Sequence, residues 1–175
     1  LDVGGESSRP GAQPAPVEEE MKRTVPVVRE IVKRHPQIPV SVDTVKAKVA
    51  QACLDEGAKI VNDISGLRFD PEMGKVVAGS QATIIIMHMQ GEPRTMQVNP
   101  HYGDVTGEIT KFFRERISYA ESSGIAIDKI WLDPGIGFGK TLEHNLEILR
   151  HFHQFLTLGR PLVCGTSRKS FIGLL

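Results

Sequence analysis

The stretch Lys129-Ile130-Trp131-Leu132-Asp133-Pro134-Gly135-Ile136-Gly137-Phe138-Gly139-Lys140-Thr141 passes from an apolar run through a glycine-rich turn to a residue fit to cap a helix. The run Lys129 to Leu132 has no polar alternation, so it reads as a strand covered on both faces, the habit of parallel sheets. Asp133 closes the strand, and Pro134 holds that residue in extended geometry. Behind Thr141, the residues Leu142, Leu146, Leu149, Phe152 and Leu156 recur with helical period. The unit is a strand ending in a polar residue, then a loop, then a helix.

The same unit recurs toward both ends of the chain. Apolar runs at Leu1 to Val3, Ile38 to Val42, Ala58 to Val61, Ala82 to Met87 and Pro161 to Cys164 bring the strands to six. Between them lie helical stripes. Val17, Met21, Val25, Val28, Ile31 and Val32 form one, with Pro16 in its first turn, and Val45, Val49 and Cys53 form another that ends at Gly57. Pro71, Met73, Val76 and Val77 follow Asp70 as an N-cap, and Ile109, Phe112, Phe113, Ile117 and Ala120 precede Gly124. Six strands and five helices in alternation fit an open doubly wound sheet or a (β/α)8 barrel. The polar residues favour the barrel. Gly4-Gly5-Glu6, Asp43, Asn62-Asp63, His88, Asp133 and Ser167-Arg168-Lys169 each follow the C-terminal end of an apolar run. A barrel gathers all such ends into one ring, whereas an open sheet gathers only those near its switch point. A complete barrel takes about 250 residues. The 175 residues therefore read as one domain over 1–175, an incomplete (β/α)8 TIM barrel with about strands 2 to 7, its first residue inside a strand and its last early in a helix.

Composition narrows the partners. The 21 basic and 21 acidic residues cancel, leaving no field for a nucleic-acid backbone or an anionic membrane surface. The apolar runs are far shorter than the ~18 residues of a spanning segment. Two cysteines, Cys53 and Cys164, are too few for a disulfide framework, and no basic, apolar leader opens the chain at Leu1. The expectation is a cytoplasmic protein that binds neither nucleic acid nor membrane.

Several strand ends carry candidate chemistry. In Gly4-Gly5-Glu6-Ser7-Ser8-Arg9-Pro10-Gly11-Ala12, glycine-freed amides and one guanidinium suit an anion such as pyrophosphate, although a plain βα loop also fits. Asp43 and Asp133 close apolar strands with no basic neighbour in sequence. A buried carboxylate there needs a partner, and a planar heterocycle with adjacent N–H donors supplies one. Asp43-Thr44 also reads as a helix cap, a role that Pro134 denies to Asp133. Asn62-Asp63 offers a ligand edge or a turn. His88 reads as a hydrogen-bonded core residue, with no second ligand at metal spacing. Gly135-x-Gly137-x-Gly139-Lys140-Thr141 lacks the phosphate-loop spacing of nucleotide triphosphate sites, so the loop reads as an aromatic contact through Phe138. Gly165-Thr166-Ser167-Arg168-Lys169-Ser170 follows the last strand, where barrels hold anions; a basic helix start is the alternative, weakened because helix starts prefer acids.

Taken together, Gly4 to Ala12, Ser41-Val42-Asp43-Thr44, Val61 to Gly66, Met87-His88-Met89-Gln90-Gly91, Asp133 to Lys140 and Gly165 to Gly173 resemble the dihydropteroate synthase family. The resemblance runs over the whole chain, from the second barrel strand into the seventh helix. It implies a folate-biosynthesis transferase that joins 6-hydroxymethyl-7,8-dihydropterin pyrophosphate to p-aminobenzoate, requires magnesium (Mg2+), is the target of sulfonamides and acts as a homodimer when complete. By the resemblance, Asp43, Asn62, Met87, Asp133 and Lys169 hold the pterin, with Asp43, Asp133 and Lys169 catalytic. Ser8 and Arg9 hold pyrophosphate, while Pro10, Phe138, Ser167 and Lys169 form the p-aminobenzoate pocket. Ser8 stands where the family more often has Thr. The family's metal ligand, an Asn of the first barrel strand, and the Arg and His of the last lie outside these residues, so no metal ligand is expected within them. A pterin-binding methyltransferase domain shares the acidic pterin readers, but Arg9-Pro10-Gly11 and Ser167-Arg168-Lys169 separate the two. A pterin-binding scaffold without activity is the other alternative.

Overall fold

The computed structural model describes residues 1–9 and 11–174. Five parallel strands form one sheet: β1 (Asp2–Gly4), β2 (Ser41–Asp43), β3 (Ile60–Asp63), β4 (Thr83–Met87) and β5 (Ile130–Asp133). Between them run α1 (Val17–Arg34), α2 (Ala47–Asp55), α3 (Met73–Gly79) and α4 (Val105–Ser122), with α5 (Leu142–Arg150) after β5. The strand order is β1-β2-β3-β4-β5. A doubly wound sheet reverses its order at a switch point; this sheet never does. Successive right-handed crossovers then place every helix on one side, the arrangement of a TIM barrel.

Register assigns each strand residue to a face. Asp2 pairs with Ser41, Asp43 with Asn62, Asn62 with Ile85 and Met87 with Asp133, so these side chains share the inward face. The outward set meets the helices: Val42, Val61, Ile84, Ile86, Ile130 and Leu132 are fully buried. Each contributes about 1.5–3 kcal/mol relative to exposure. On the inward face Ser41, Ile85, Met87 and Asp133 are buried while Ile60, Thr83 and Trp131 are half-buried, so the expectation of strands covered on both faces holds fully on the helix side and in part on the inward side.

Other expectations shift. The run Pro161 to Cys164 makes a single bridge, Leu162 to Leu132, not a sixth strand. Proline supplies no N–H to a ladder, and two hydrogen bonds hold the segment beside β5, Leu132 N to Pro161 O at 3.0 Å and Val163 N to Leu132 O at 2.8 Å. Pro16 is the N-cap of α1 instead of a first-turn residue, and the buried face of α1 is Glu20, Thr24 and Val28. The expected stripe still packs on the core, with Val28 fully buried and Val17, Met21, Val25, Ile31 and Val32 partly buried against it, and Lys46 provides the cation that a buried Glu20 requires. Asp70 does not occupy the N-cap of α3, which is Glu72. Its carboxylate still accepts from Glu72 N at 3.0 Å at the entry to α3, and it also caps α2 across 23 residues of sequence, accepting from Ala47 N at 2.8 Å. The last helix stops at Arg150 and continues as a 3-10 segment, Phe152–Leu158, that buries Phe155 and leaves Leu156 exposed. Among the described residues no helix is long and apolar enough to cross a membrane.

Candidate active site

Because β2 and β3 pair in parallel, Asp43 and Asn62 stand level at their C-terminal ends. Met87 and Asp133 stand level at the ends of β4 and β5. All four occupy the inward face, which separates Asn62 from its neighbour. Asp63 points outward, is buried, and accepts from Ser65 N at 2.8 Å and Leu67 N at 2.9 Å. Asp63 is therefore the turn residue of the pair. Asp43 likewise is not the helix cap: Thr44 Oγ1 accepts from Lys46 N at 3.2 Å and Asp70 caps the next amide.

The carboxyls are perturbed as buried acceptors awaiting donors should be. Burial pushes the Asp43 carboxyl up to about 7, and the charges of Asp2, Asp63, Glu20 and Glu6 add to the rise. Burial also raises Asp133, opposed by the Gly135 amide, which donates to Asp133 Oδ1 at 2.8 Å, and by Lys169 and Lys140. Lys169 is lowered by burial and held up by Asp133 and Asp43. Its charge therefore sits within the field of both carboxyls, and its Nζ stands 4.2 Å from the Phe138 ring centre, a cation–π contact. Arg168, at φ +58°, makes the left-handed turn that returns Lys169 to the strand ends, at a cost of about 1 kcal/mol.

The β5 loop is fixed without any ligand. Gly135 has φ +68° and lies so near His88 that a Cβ would stand 2.0 Å from its carbonyl oxygen, so no other residue fits. Three carbonyls receive side-chain donors: Gly137 O from Gln97 at 2.8 Å, Phe138 O from Lys140 at 2.9 Å and Gly139 O from Tyr102 at 2.9 Å. Gly137 N donates to Asn145 Oδ1 at 2.7 Å. Lys140 is buried, with Nζ also 3.1 Å from His88 Nδ1 and 3.3 Å from His88 O. Burial pushes Lys140 down to about 7 and His88 well below its usual value. A neutral His88 then accepts through Nδ1, the hydrogen-bonded core role expected of it.

Beneath this loop, Met87 packs in a separate apolar cluster with Ile64, Met89 and Met96, flanked by Val45 and Phe138. The cluster gives a ligand ring an apolar floor.

The β1–α1 loop is anchored at its base and open at its tip. Lys46 Nζ pairs with both Glu6 and Glu20, and Glu6 Oε2 accepts from Ala15 N at 2.7 Å. Further out, Ser8 is half-buried and Arg9 exposed, with no carboxylate paired to Arg9 among the described residues. Pro10 lies outside the described residues. A cavity of about 260 Å³ between this loop and the one after β4 is lined by Ser8, Asp43, Val45, Ile64, Phe69 and Arg94, among others. Phe138, Lys169 and the exposed Ser167 are not among its lining residues, although Phe138 packs on the same apolar cluster as the lining residues Val45 and Ile64. Among the described residues no three His, Cys, Asp or Glu are grouped to hold a metal ion.

Sequence reading passed over Lys140, Asp2, Lys46 and Arg94. Only Lys140 carried a signal: a cation beside the helix cap Thr141 opposes the helix dipole and needs another role.

The inward strand ends of this parallel sheet present a buried and a half-buried carboxyl with an amide, acceptors that a ring bearing N–H donors can satisfy. The whole chain, residues 1–175, matches the family described as pterin binding enzyme, and it belongs to that family. Within it, the chain is similar to the dihydropteroate synthase of Synechocystis sp., 46% identical over 173 residues that cover 99% of this chain and 60% of the relative. It is also similar to the Yersinia pestis dihydropteroate synthase in complex with a sulfonamide drug, at 41% identity and TM-score 0.96, covering 99% of this chain and 62% of that one. The Xanthomonas albilineans dihydropteroate synthase with 4-aminobenzoic acid gives 42% identity and TM-score 0.93, covering 99% and 61%. The chain spans about three fifths of the length of these relatives.

Proposed function

We propose that residues 1–175 form a single pterin-binding barrel domain, the central part of a dihydropteroate synthase. The reaction joins 6-hydroxymethyl-7,8-dihydropterin pyrophosphate to p-aminobenzoate, releasing 7,8-dihydropteroate and pyrophosphate. The observation that carries this reading is the inward row of Asp43, Asn62 and Asp133 at strand ends. Such a row presents acceptors to the N–H-rich edge of a pterin, as the pair of carboxyls demands. Met87 and its cluster pack against the ring face, and Lys169 meets its carbonyl side.

When pyrophosphate leaves the exocyclic methylene, positive charge develops on the pterin. Asp43 and Asp133, fixed before the reaction, stabilise that charge without reorganising. Ser8 and Arg9 hold the departing pyrophosphate. The arylamine, seated by Pro10, Phe138, Ser167 and Lys169, then attacks the methylene carbon; the C–O bond to pyrophosphate breaks ahead of C–N bond formation, and the amine proton passes to the departing pyrophosphate. An electrophile of that reactivity needs no strong base at the nucleophile. The same reading carries magnesium supplied through a ligand outside this segment, a homodimer of the complete chain, a cytoplasmic location and inhibition by sulfonamides, which resemble the arylamine.

Product formation from the two substrates by the full-length chain tests the proposal. Pterin binding with no dihydropteroate formed would reduce it to a scaffold, and methyl transfer instead would favour the methyltransferase alternative.

A further inference from the structure

Resting on the pterin reading, we infer that Asp2 is a positioning residue that sets the chemical sense of Asn62. An asparagine amide offers a donor end and an acceptor end, and either can face a ligand. Here the choice is dictated by Asp2, which lies on the same inward face two rungs lower: Asp2 is the ladder partner of Ser41, and Asn62 follows Ile60, the next residue along that rung. Asn62 Nδ2 donates to Asp2 Oδ2 at 3.1 Å, while Ser41 Oγ donates to Asp2 Oδ1. An ionised carboxylate only accepts. The nitrogen of Asn62 must therefore turn to Asp2, and its oxygen must turn away.

That oxygen carries the second observation. Asn62 Oδ1 is buried and receives no hydrogen bond among the described residues. A buried acceptor without a donor is costly, and a ligand N–H satisfies it. Asn62 thus joins Asp43 and Asp133 as a third acceptor, and Asp2 makes the row uniform. A ligand with adjacent N–H donors suits that row; one presenting carbonyl oxygens there meets three acceptors. Asp2 is in this sense a specificity-determining residue that need not touch the ligand.

A mutant cycle tests this in the full-length chain, using 6-hydroxymethylpterin as the probe and its fluorescence as the readout. Asp2→Ala should weaken binding about tenfold, the scale of one hydrogen bond. Asn62→Ala should weaken it at least as much. In the double variant the losses should not multiply, because Asp2 acts through Asn62. Asp2→Ser, too short to hold the amide, repeats the measurement should the alanine variant fold poorly. Two outcomes overturn the inference and leave the pterin reading standing: Asp2 variants that bind as tightly as wild type, and losses that multiply. The second would mean that Asp2 acts elsewhere, through its charge on Asp43 or through the strand. A wild-type chain that binds no pterin overturns both.

Discussion

Lys140 Nζ donates to the backbone oxygen of Phe138 at 2.9 Å while standing 3.1 Å from His88 Nδ1. The bond to Phe138 lies within the β5 loop, and the contacts with His88 tie that loop to the end of β4. It fixes Phe138, and with it the ring that Lys169 covers, before any substrate arrives.

Replacing Lys140 by Met removes three hydrogen bonds and leaves the oxygens of Phe138 and His88 and the His88 ring nitrogen without that donor. Each such loss in a buried site costs about 1–3 kcal/mol, and relaxation absorbs part of the sum. Thermal unfolding should show a loss of about 2–4 kcal/mol. In steady-state kinetics the KM for p-aminobenzoate should rise more than that for the pterin substrate, because Phe138 belongs to the arylamine side. Equal effects on both KM values would refute a role centred on Phe138.

Asp133→Asn keeps the shape of the side chain and replaces one acceptor by a donor. The Gly135 amide can still be accepted by the remaining oxygen, so the β5 loop should stay folded. Pterin binding should weaken by about 1.5–3 kcal/mol for each charge-assisted hydrogen bond lost. Calorimetry on the full-length variant checks this, and unchanged affinity would remove Asp133 from the site.

Asp43 makes pterin binding dependent on pH. Its carboxyl titrates at about 7 in the free site, and only the ionised form accepts two N–H donors. Affinity should fall as pH drops below 7, by as much as tenfold per pH unit, and level off above it. The stability effect has the opposite sense. A carboxyl whose folded value is raised binds more protons when folded, so its contribution is most favourable at low pH and is lost as pH rises through about 7. A rise from 3.8 to about 7 corresponds to about 4 kcal/mol if fully expressed, and partial solvent contact discounts it to the order of 2 kcal/mol. Asp43→Asn should therefore stabilise the ligand-free protein above pH 7 while weakening pterin binding. A less stable variant at pH 8 would contradict this.

Local sequence carried the strand ends well because polarity at the end of an apolar run is a local signal. Asp43, Asn62 and Asp133 all fall at the strand ends where that signal placed them, whereas Met87 is singled out only by the family resemblance. The pairing order that settles barrel over open sheet is not local, and it emerged only from the register of β1 to β5. What local sequence left out shares a cause. Asp70 serves the entry to its own helix, accepting from Glu72 N at 3.0 Å, but it also accepts from Ala47 N far along the chain, and the buried Glu20 is paired by the distant Lys46. Asp2 was hidden in the same way, since its effect on Asn62 crosses 60 residues.

The two sides of the arylamine site differ in how firmly they are held, and this predicts an order of binding. The Phe138 side is preformed: Lys140, Tyr102, Gln97 and Asn145 all hold its backbone. Among the described residues the Ser8–Arg9 side is held at its base, by the Glu6–Lys46 pair and by Arg23, which donates to Gly5 O at 2.9 Å. Beyond that base, the tip has a 3.4 Å contact from Arg9 N to Ser7 Oγ and a turn from Ala12 N to Arg9 O at 3.1 Å. An anion held by Ser8 and Arg9 would order that tip and close it toward Phe138, as loops commonly complete a site when substrate binds. A sulfonamide should then bind the full-length protein measurably only with pterin and pyrophosphate present, and Ser8→Ala should weaken the sulfonamide more than the pterin. Calorimetric titration with each combination of ligands gives the answer. Tight sulfonamide binding to the free protein would show that both sides are preformed and that the anchored base of the loop already sets its tip.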